Sequence, residues 1–484
     1  MPKPRINSGK PNPQLAKCPT GIHGLDEITL GGLPRGRTSL VCGATGCGKT
    51  LLAMEFLYRG ATEFGEPGVF MSFEEREKDL AENFASLGFD LDSLIKRDKL
   101  FVDFVRIEPG EHQEVGAYDL EGLFVRLGAA VDAVGAKRVV LDTIEALFSG
   151  FKDEAMLRAE LRRLFNWLKD RGLTAIVTGE KGEKLLTRNG LEEYVADCVI
   201  YLDHRTVEQV ATRRLKVIKY RGSMHGTNEF PFLVTAEGIS IFPMTSMGLT
   251  AGVSPRRLSS GIPGLDKMLA GKGYYQGSTI LVSGSAGSGK TSFGAHLADS
   301  VCRAGRRALY LAFEESEPQL ARNMKSIGLD LQKWLDKGLL KVVSNRASLC
   351  NLEMHLVLAH KAVKEFKPEL VIIDPISTLS AHGDAYGAKE MLARLLESMK
   401  TSGITVLATD LTVMDENMES TEVGISSICD TWIRLSMERQ GHERQRRITI
   451  VKSRGMAHDY ATKELLMTGK GMAIGDIRGN GEGK

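Results

Sequence analysis

The chain repeats itself. GIHGLDEITLGGLPRGRTSLVCGATGCGKT, ending at Thr50, returns as GIPGLDKMLAGKGYYQGSTILVSGSAGSGKT, ending at Thr291. FMSFEE (Phe70 to Glu75) returns as YLAFEE (Tyr310 to Glu315), VVLDT (Val139 to Thr143) as VIIDP (Val371 to Pro375), and KVIKYRG (Lys216 to Gly222) as TIVKSRG (Thr449 to Gly455). Self-similarity sustained over this length is a duplication, and each copy must then close its own core. The 484 residues divide accordingly: an N-terminal arm at 1–19, a first domain at 20–247, a Gly, Ser and Pro-containing linker at 248–260, a second domain at 261–471 and a short tail at 472–484.

Within each copy, short β-branched runs alternate with longer stretches of helical periodicity, the pattern of βα units around a mainly parallel sheet. The strands expected in the first copy are Thr38 to Cys42, Gly68 to Phe73, Leu100 to Val105, Arg138 to Asp142 and Leu173 to Thr178. Those in the second are Thr279 to Ser283, Ala308 to Phe313, Leu339 to Ser344, Leu370 to Asp374 and Ile404 to Thr409. Later runs at Cys198 to Leu202, Leu215 to Tyr220, Trp432 to Leu435 and Ile448 to Val451 should end each sheet as hairpins. The fold class expected is α/β: two tandem domains, each a mainly parallel twisted sheet flanked by helices, which with the glycine loops quoted above resemble RecA-like P-loop NTPase domains.

GATGCGKT (Gly43 to Thr50) and GSAGSGKT (Gly284 to Thr291) each follow a strand and open a helix, the context in which this pattern is a phosphate-binding loop and not a glycine-rich turn. Backbone amides of Gly43, Thr45, Gly46, Cys47 and Gly48, and of Gly284, Ala286, Gly287, Ser288 and Gly289, would close around phosphates at a helix N-terminus that continues through Leu51 and Ser292. Lys49 and Lys290 would reach the β and γ phosphates of ATP, and Thr50 and Thr291 would ligate Mg²⁺. Asp142 and Asp374, each ending an apolar run, are expected to support that ion; a lone Asp there could be a helix cap, but a matched pair points to metal.

Glu74 and Glu75, with Glu314 and Glu315, directly follow the strand after the phosphate-loop helix, at the end of the sheet where ligands bind. One carboxylate of each pair can take a proton from an attacking oxygen, with its neighbour's repulsion raising its basicity. Acids decorating a helix start would look the same. Lys219, Arg221, Lys452 and Arg454 form a repeated K-x-R-G at a late strand end with no acid of their own domain evident. Such a pair suits reaching the γ-phosphate of a neighbouring subunit, although a single exposed charge there would mean nothing.

Composition narrows the partners. Lys and Arg number 63 against 61 acids, so a net charge of +2 exerts no overall pull on nucleic acid. The start, MPKPRINSGK, has no apolar signal core and no later run is long enough for a membrane span, so a cytoplasmic protein is expected. Seven cysteines without CxxC spacing read as reduced thiols, with Cys47 a small filler in its loop.

A phosphate loop, a Glu-Glu pair after the next strand, a strand-ending Asp and a late K-x-R-G, all present twice, resemble the KaiC family, ATPases and autokinases of the cyanobacterial clock. The resemblance runs from about Thr20 to about Gly471. It implies a homohexameric ring of two tiers with ATP between subunits, an N-terminal tier that hydrolyses ATP slowly and a C-terminal tier that phosphorylates itself; whether two such rings stack as a dodecamer is left open by the sequence. Four residues before Asp197 and Asp430 stand Glu193 and Tyr194 in the first copy but Ser426 and Ser427 in the second. The resemblance makes Ser426 and Ser427 the paired phosphoacceptors, with Thr421 a nearby third; Ser427 stands where the family usually has Thr. It implies that Glu314 deprotonates an acceptor hydroxyl and Glu74 a water. The sequence after KELLMTGKGMAIGD is only IRGNGEGK, so no dependence on KaiA is expected, while a KaiB-like protein could bind the N-terminal tier. RecA, RadA and DnaB-type motors share the core, but no helix-hairpin-helix or zinc ribbon supports nucleic acid here. An ATP-assembled signalling scaffold is the third reading.

Overall fold

A computed structural model of the chain describes residues 15–105, 120–148, 154–182, 186–187, 196–207, 210–243, 254–344, 352–380, 385–412, 427–440 and 443–476. It divides into two compact units, Met1–Thr245 and Ser246–Lys484. The first opens with β1 (Lys17–Cys18) paired antiparallel to β2 (Leu33–Pro34), so ordered pairing begins inside the segment read as an arm. Its sheet comprises β3 (Thr38–Gly43), β4 (Gly68–Ser72), β5 (Leu100–Phe104), β6 (Arg138–Asp142), β7 (Thr174–Glu180), β8 (Cys198–Val207), β9 (Val210–Tyr220), β10 (Glu229–Thr235) and β11 (Gly238–Ile241).

The second unit opens with β12 (Arg257–Leu258) against β13 (Tyr274–Tyr275), inside the segment read as linker. Its sheet comprises β14 (Thr279–Gly284), β15 (Ala308–Ala312), β16 (Leu340–Ser344), β17 (Leu370–Asp374), β18 (Thr405–Leu411), β19 (Thr431–Gln440), β20 (Glu443–Ser453), β21 (Lys463–Thr468) and β22 (Gly471–Gly475).

Both sheets are nine-stranded with one topology: β11-β10-β9-β8-β3-β7-β6-β4-β5 in the first and β22-β21-β20-β19-β14-β18-β17-β15-β16 in the second. The strands from β8 to β5 and from β19 to β16 pair parallel, and the remaining pairings are antiparallel, so the late strands do form hairpins. These hairpins are longer than the apolar runs that announced them, because their outer halves carry charge and sit at the sheet margin.

The parallel strands read as continuous apolar runs because both faces are covered. Along β3, Val41 joins the cluster under the phosphate-loop helix, with Phe56, Phe70 and Val140, while Leu40 and Cys42 join the opposite cluster with Leu127, Leu164 and Val177. That two-residue alternation fixes which side chains each helix meets, and leaves the carboxyl ends of the central strands to form the site.

Candidate active sites

Gly48 and Gly289 cap the helices Lys49–Glu63 and Lys290–Arg303 at φ of 107° and 106°, a left-handed conformation that glycine adopts without a Cβ clash. Gly43 is required for a different reason: a Cβ there would lie 2.3 Å from the Leu202 carbonyl oxygen and 2.6 Å from Cys47 Sγ. Cys47 is therefore a buried filler beneath the loop, and burial pushes its thiol above the usual range.

In the first unit, Lys49 Nζ donates to the carbonyls of Gly43 and Ala44, each at 3.1 Å, and to Glu180 Oε1 at 2.9 Å. Thr50 Oγ1 donates to Asp142 Oδ2 at 2.9 Å, and Thr178 Oγ1 donates to Asp142 Oδ1. Burial pushes the Asp142 carboxyl up, the charges of Glu74 and Glu75 add to this, and the two threonine hydrogen bonds oppose it. Glu74 is tied to the same strand end by Thr143 Oγ1, at 2.8 Å. Glu75 accepts from Asn83 Nδ2 at 3.3 Å.

The second unit keeps the frame and changes the partners. Lys290 Nζ donates to the carbonyls of Gly284 at 2.8 Å and Ser285 at 2.9 Å. Asp374 accepts from Thr409, as Asp142 does from Thr178, but its Oδ2 accepts from Tyr310 at 2.6 Å, a phenol that replaces Phe70 of the first copy. Burial raises the Glu314 carboxyl above its ordinary range, reinforced by Asp374 and opposed by Lys290. Burial also lowers Lys290, with the Asp374, Glu314 and Asp410 charges opposing. Around Lys290, Thr291, Glu314 and Asp374 lies a cavity of about 450 Å³, walled further by Leu411, Arg446 and Met467. That is the size of a small-ligand site.

The residues fit Mg²⁺. Thr50 and Asp142 present a hydroxyl and a carboxylate oxygen to each other, and the described residues contain no group of three or more His, Cys, Asp or Glu that could cage an ion. An ion held by one or two protein oxygens together with phosphate and water is the usual Mg²⁺ arrangement.

The structure does not bring the K-x-R-G pairs to the phosphate loop of their own unit. Lys219 pairs with Val199 at the beginning of β8, whereas Gly43 pairs with Leu202 further along it. In the second unit Arg454 Nη2 donates to the carbonyl of Ser427 at 2.7 Å, and the neighbouring Asp430 accepts from Thr279 N at the start of β14. The phosphate loop begins at the other end of that strand, at Gly284, roughly 17 Å away at ~3.3 Å per residue. Ser426, Thr421, Glu193 and Tyr194 lie outside the described residues.

One expectation needs correction. Arg221 does have an acid in its own domain: its Nη1 lies 3.9 Å from Asp197 Oδ1, and its N–H donates to the Asp197 carbonyl at 2.8 Å. The acid precedes β8 and the arginine follows β9, so only the pairing of those strands reveals the contact. Sequence reasoning also missed Glu180, Tyr310 and Arg446, whose Nε donates to the Gly287 carbonyl at 3.3 Å. Arg446 had a signal, since Arg446 and Arg447 repeat Arg213 and Arg214.

A family model described as "ATPase: KaiC" matches the chain twice, over residues 18–246 and 258–478. The chain belongs to the KaiC family. It is 53% identical over 462 residues to the circadian clock protein KaiC2 of Synechocystis sp., covering 95% of this chain and 81% of that protein. It is 38% identical over 465 residues to the circadian clock oscillator protein KaiC of Picosynechococcus sp., covering 96% and 90%, and 37% identical over 475 residues to that of Thermostichus vulcanus, covering 97% and 91%. The KaiC match extends past both outer edges of the second domain read from sequence, reaching Leu258 of β12 and taking in all of β22. Among the described residues, no helix of this KaiC-family chain is long and apolar enough to cross a membrane.

Proposed function

We propose that this KaiC-family ATPase binds Mg·ATP in both units, hydrolyses it slowly in the N-terminal one and, in the C-terminal one, transfers the γ-phosphate to Ser426 or Ser427 of a neighbouring subunit, with Thr421 a third acceptor. The observation that carries this reading is the separation of Ser427 from its own phosphate loop by the length of β14, joined to its hydrogen bond with Arg454. A segment anchored at the far end of β14, a strand roughly 17 Å long, is poorly placed to attack at the loop of its own unit, but on a ring it can approach the next subunit's loop. Lys452 and Arg454 would arrive with it, as Lys219 and Arg221 would in the N-terminal tier, and a homohexamer satisfies this geometry by closure.

Glu314 has the properties of the base. Its carboxyl is raised by burial and by Asp374, and it lines the same cavity as Lys290 and Thr291. It would take the proton of the serine hydroxyl as the oxygen bonds to γ-phosphorus and the bond to the β,γ-bridging oxygen breaks, leaving ADP. Lys290 would hold the departing phosphate. Mg²⁺, held through Thr291 and Asp374, would supply neutralising charge to the phosphates. In the N-terminal unit, Glu74, tied down by Thr143, would act on water, with Glu75 beside it, and Thr50 and Asp142 would hold the ion.

Mixing two variants tests the transfer. A Lys290→Ala chain holds no ATP in its C-terminal unit, and a chain with Thr421, Ser426 and Ser427 replaced by alanine has no acceptor. With γ-labelled ATP and Mg²⁺ neither should label alone; mixed and allowed to exchange subunits, the Lys290→Ala chain should carry label between Thr421 and Asp430. Labelling of the wild-type chain that is confined to monomers, or ATP turnover without any label in that segment, would refute the proposal.

A further inference from the structure

The two phosphate-loop lysines are held differently: the strand ends beside them carry Gly179 and Glu180 in the first unit and Asp410 and Leu411 in the second, and of these only Glu180 makes a hydrogen bond to its lysine. The parallel pairing of β3 with β7 sets Glu180 beside Gly43, and that of β14 with β18 sets Leu411 beside Gly284, so the two positions are structurally equivalent. The Glu180 backbone is pinned, its N–H donating to Glu145 Oε1. Its carboxylate spans the loop: Oε2 accepts from Thr45 Oγ1 at 3.3 Å and Oε1 from Lys49 Nζ at 2.9 Å. Lys49 is 6% exposed and Glu180 19%, so water screens the pair little.

An ammonium has three N–H donors. Lys49 commits two to the Gly43 and Ala44 carbonyls and the third to Glu180. Lys290 commits two to the equivalent carbonyls of Gly284 and Ser285, and the residue facing it at the strand end is the half-buried, apolar Leu411, a wall of the 450 Å³ cavity. A phosphate oxygen that engages Lys49 must take the donor that Glu180 holds, and must do so beside a carboxylate of its own sign. One that engages Lys290 displaces no hydrogen-bonded carboxylate, although the charges of Asp374, Glu314 and Asp410 act on that lysine as well.

We infer that Glu180 is an internal anion that competes with nucleotide phosphates for Lys49, so that it weakens the hold of the N-terminal unit on nucleotide and takes Lys49 back as product leaves. Glu180 acts through Lys49 and is a positioning residue. The inference rests on the reading of both loops as nucleotide sites.

The test titrates full-length protein with a fluorescent ADP, one unit at a time. In a Lys290→Ala chain, which leaves the N-terminal site, Glu180→Gln keeps the shape and removes the charge; it should tighten ADP binding about tenfold, the scale of one charge-assisted hydrogen bond. In a Lys49→Ala chain, Leu411→Glu should weaken binding at the C-terminal site by a similar factor. A residue with a merely structural role would lose affinity when altered, not gain it. Unchanged or weaker binding by the Glu180→Gln chain, with an unaltered far-UV spectrum, overturns the inference; should that variant misfold, the Leu411→Glu arm decides, and undiminished affinity there overturns it. Absence of any ADP binding by the Lys290→Ala chain overturns this inference together with the nucleotide-site reading. Binding that is abolished by adding Lys49→Ala, yet indifferent to Glu180→Gln, overturns this inference alone.

Discussion

Replacing Tyr310 with phenylalanine probes another feature that distinguishes the second site from the first. The Tyr310 side chain is fully buried, and burial raises its phenol well above the usual range, so the hydroxyl keeps its proton and donates to Asp374 Oδ2 at 2.6 Å. A hydrogen bond to a charged acceptor contributes about 1.5–3 kcal/mol, and its deletion leaves a carboxylate oxygen in a nearly waterless site. Thr409 still donates to the other oxygen, and Thr291 can rotate to do what Thr50 does for Asp142, so the middle of that range is expected. For a domain of this size a loss of about 2 kcal/mol lowers the midpoint by roughly 4–8 °C. Calorimetry of the full chain, following the transition of the second unit, measures it. A double-mutant cycle identifies the partner: in an Asp374→Asn background the cost of Tyr310→Phe should shrink by at least half. A shift below about 1 °C, or an equal shift in both backgrounds, would refute the idea that the phenol holds the carboxylate. The converse variant, Phe70→Tyr, brings a hydroxyl to an Asp142 already satisfied by Thr50 and Thr178, and should not stabilise the first unit.

Other consequences are checked more simply. Lys49→Ala and Lys290→Ala should each reduce nucleotide bound per chain from two to one, read by equilibrium dialysis, since each lysine serves a separate loop. Arg138 is fully buried and donates to Glu66, to the Phe56 carbonyl and to the Pro19 carbonyl, the last two at 2.9 Å; Arg138→Met leaves these acceptors unmet and should destabilise the first unit by about 3–5 kcal/mol in a urea melt. His296 Nε2 accepts from Met472 N at 2.9 Å, and burial lowers its pKa from 6.5, opposed by the Asp299 charge and aided by Arg303. The unfolded chain therefore binds this proton first: the stabilisation is complete above pH 6.5 and is lost progressively as pH falls below it. The second unit's midpoint should drop on acidification across that window, and His296→Gln, which keeps an acceptor without a titration, should flatten the drop.

How far the site was legible depended on whether its chemistry was local. The two glycine loops could be placed because a strand, a glycine turn and a helix start are contiguous, and Asp142 and Asp374 could be placed at strand ends because a charge ends each apolar run. Glu180 could not: TGE in one copy and TDL in the other look like ordinary strand ends until β7 and β18 are set beside the loops. Asp197 escaped for the same reason, being distant in sequence from Arg221 and adjacent only through the β8–β9 pairing. Tyr310 was hidden in another way, since within an apolar run a phenol reads as core, and only its height along β15 brings the hydroxyl to Asp374.

By itself, then, the sequence determined that this chain is a duplication, with two doubly covered parallel sheets and two phosphate loops, because those properties follow from periodicity and from short-range backbone demands. Only the tertiary structure decided how the copies differ. Which group faces Lys49 or Lys290, which hydroxyl holds each aspartate, and at which end of β14 the Ser427 segment is anchored are set by strand register, and register is fixed by packing across the whole sheet.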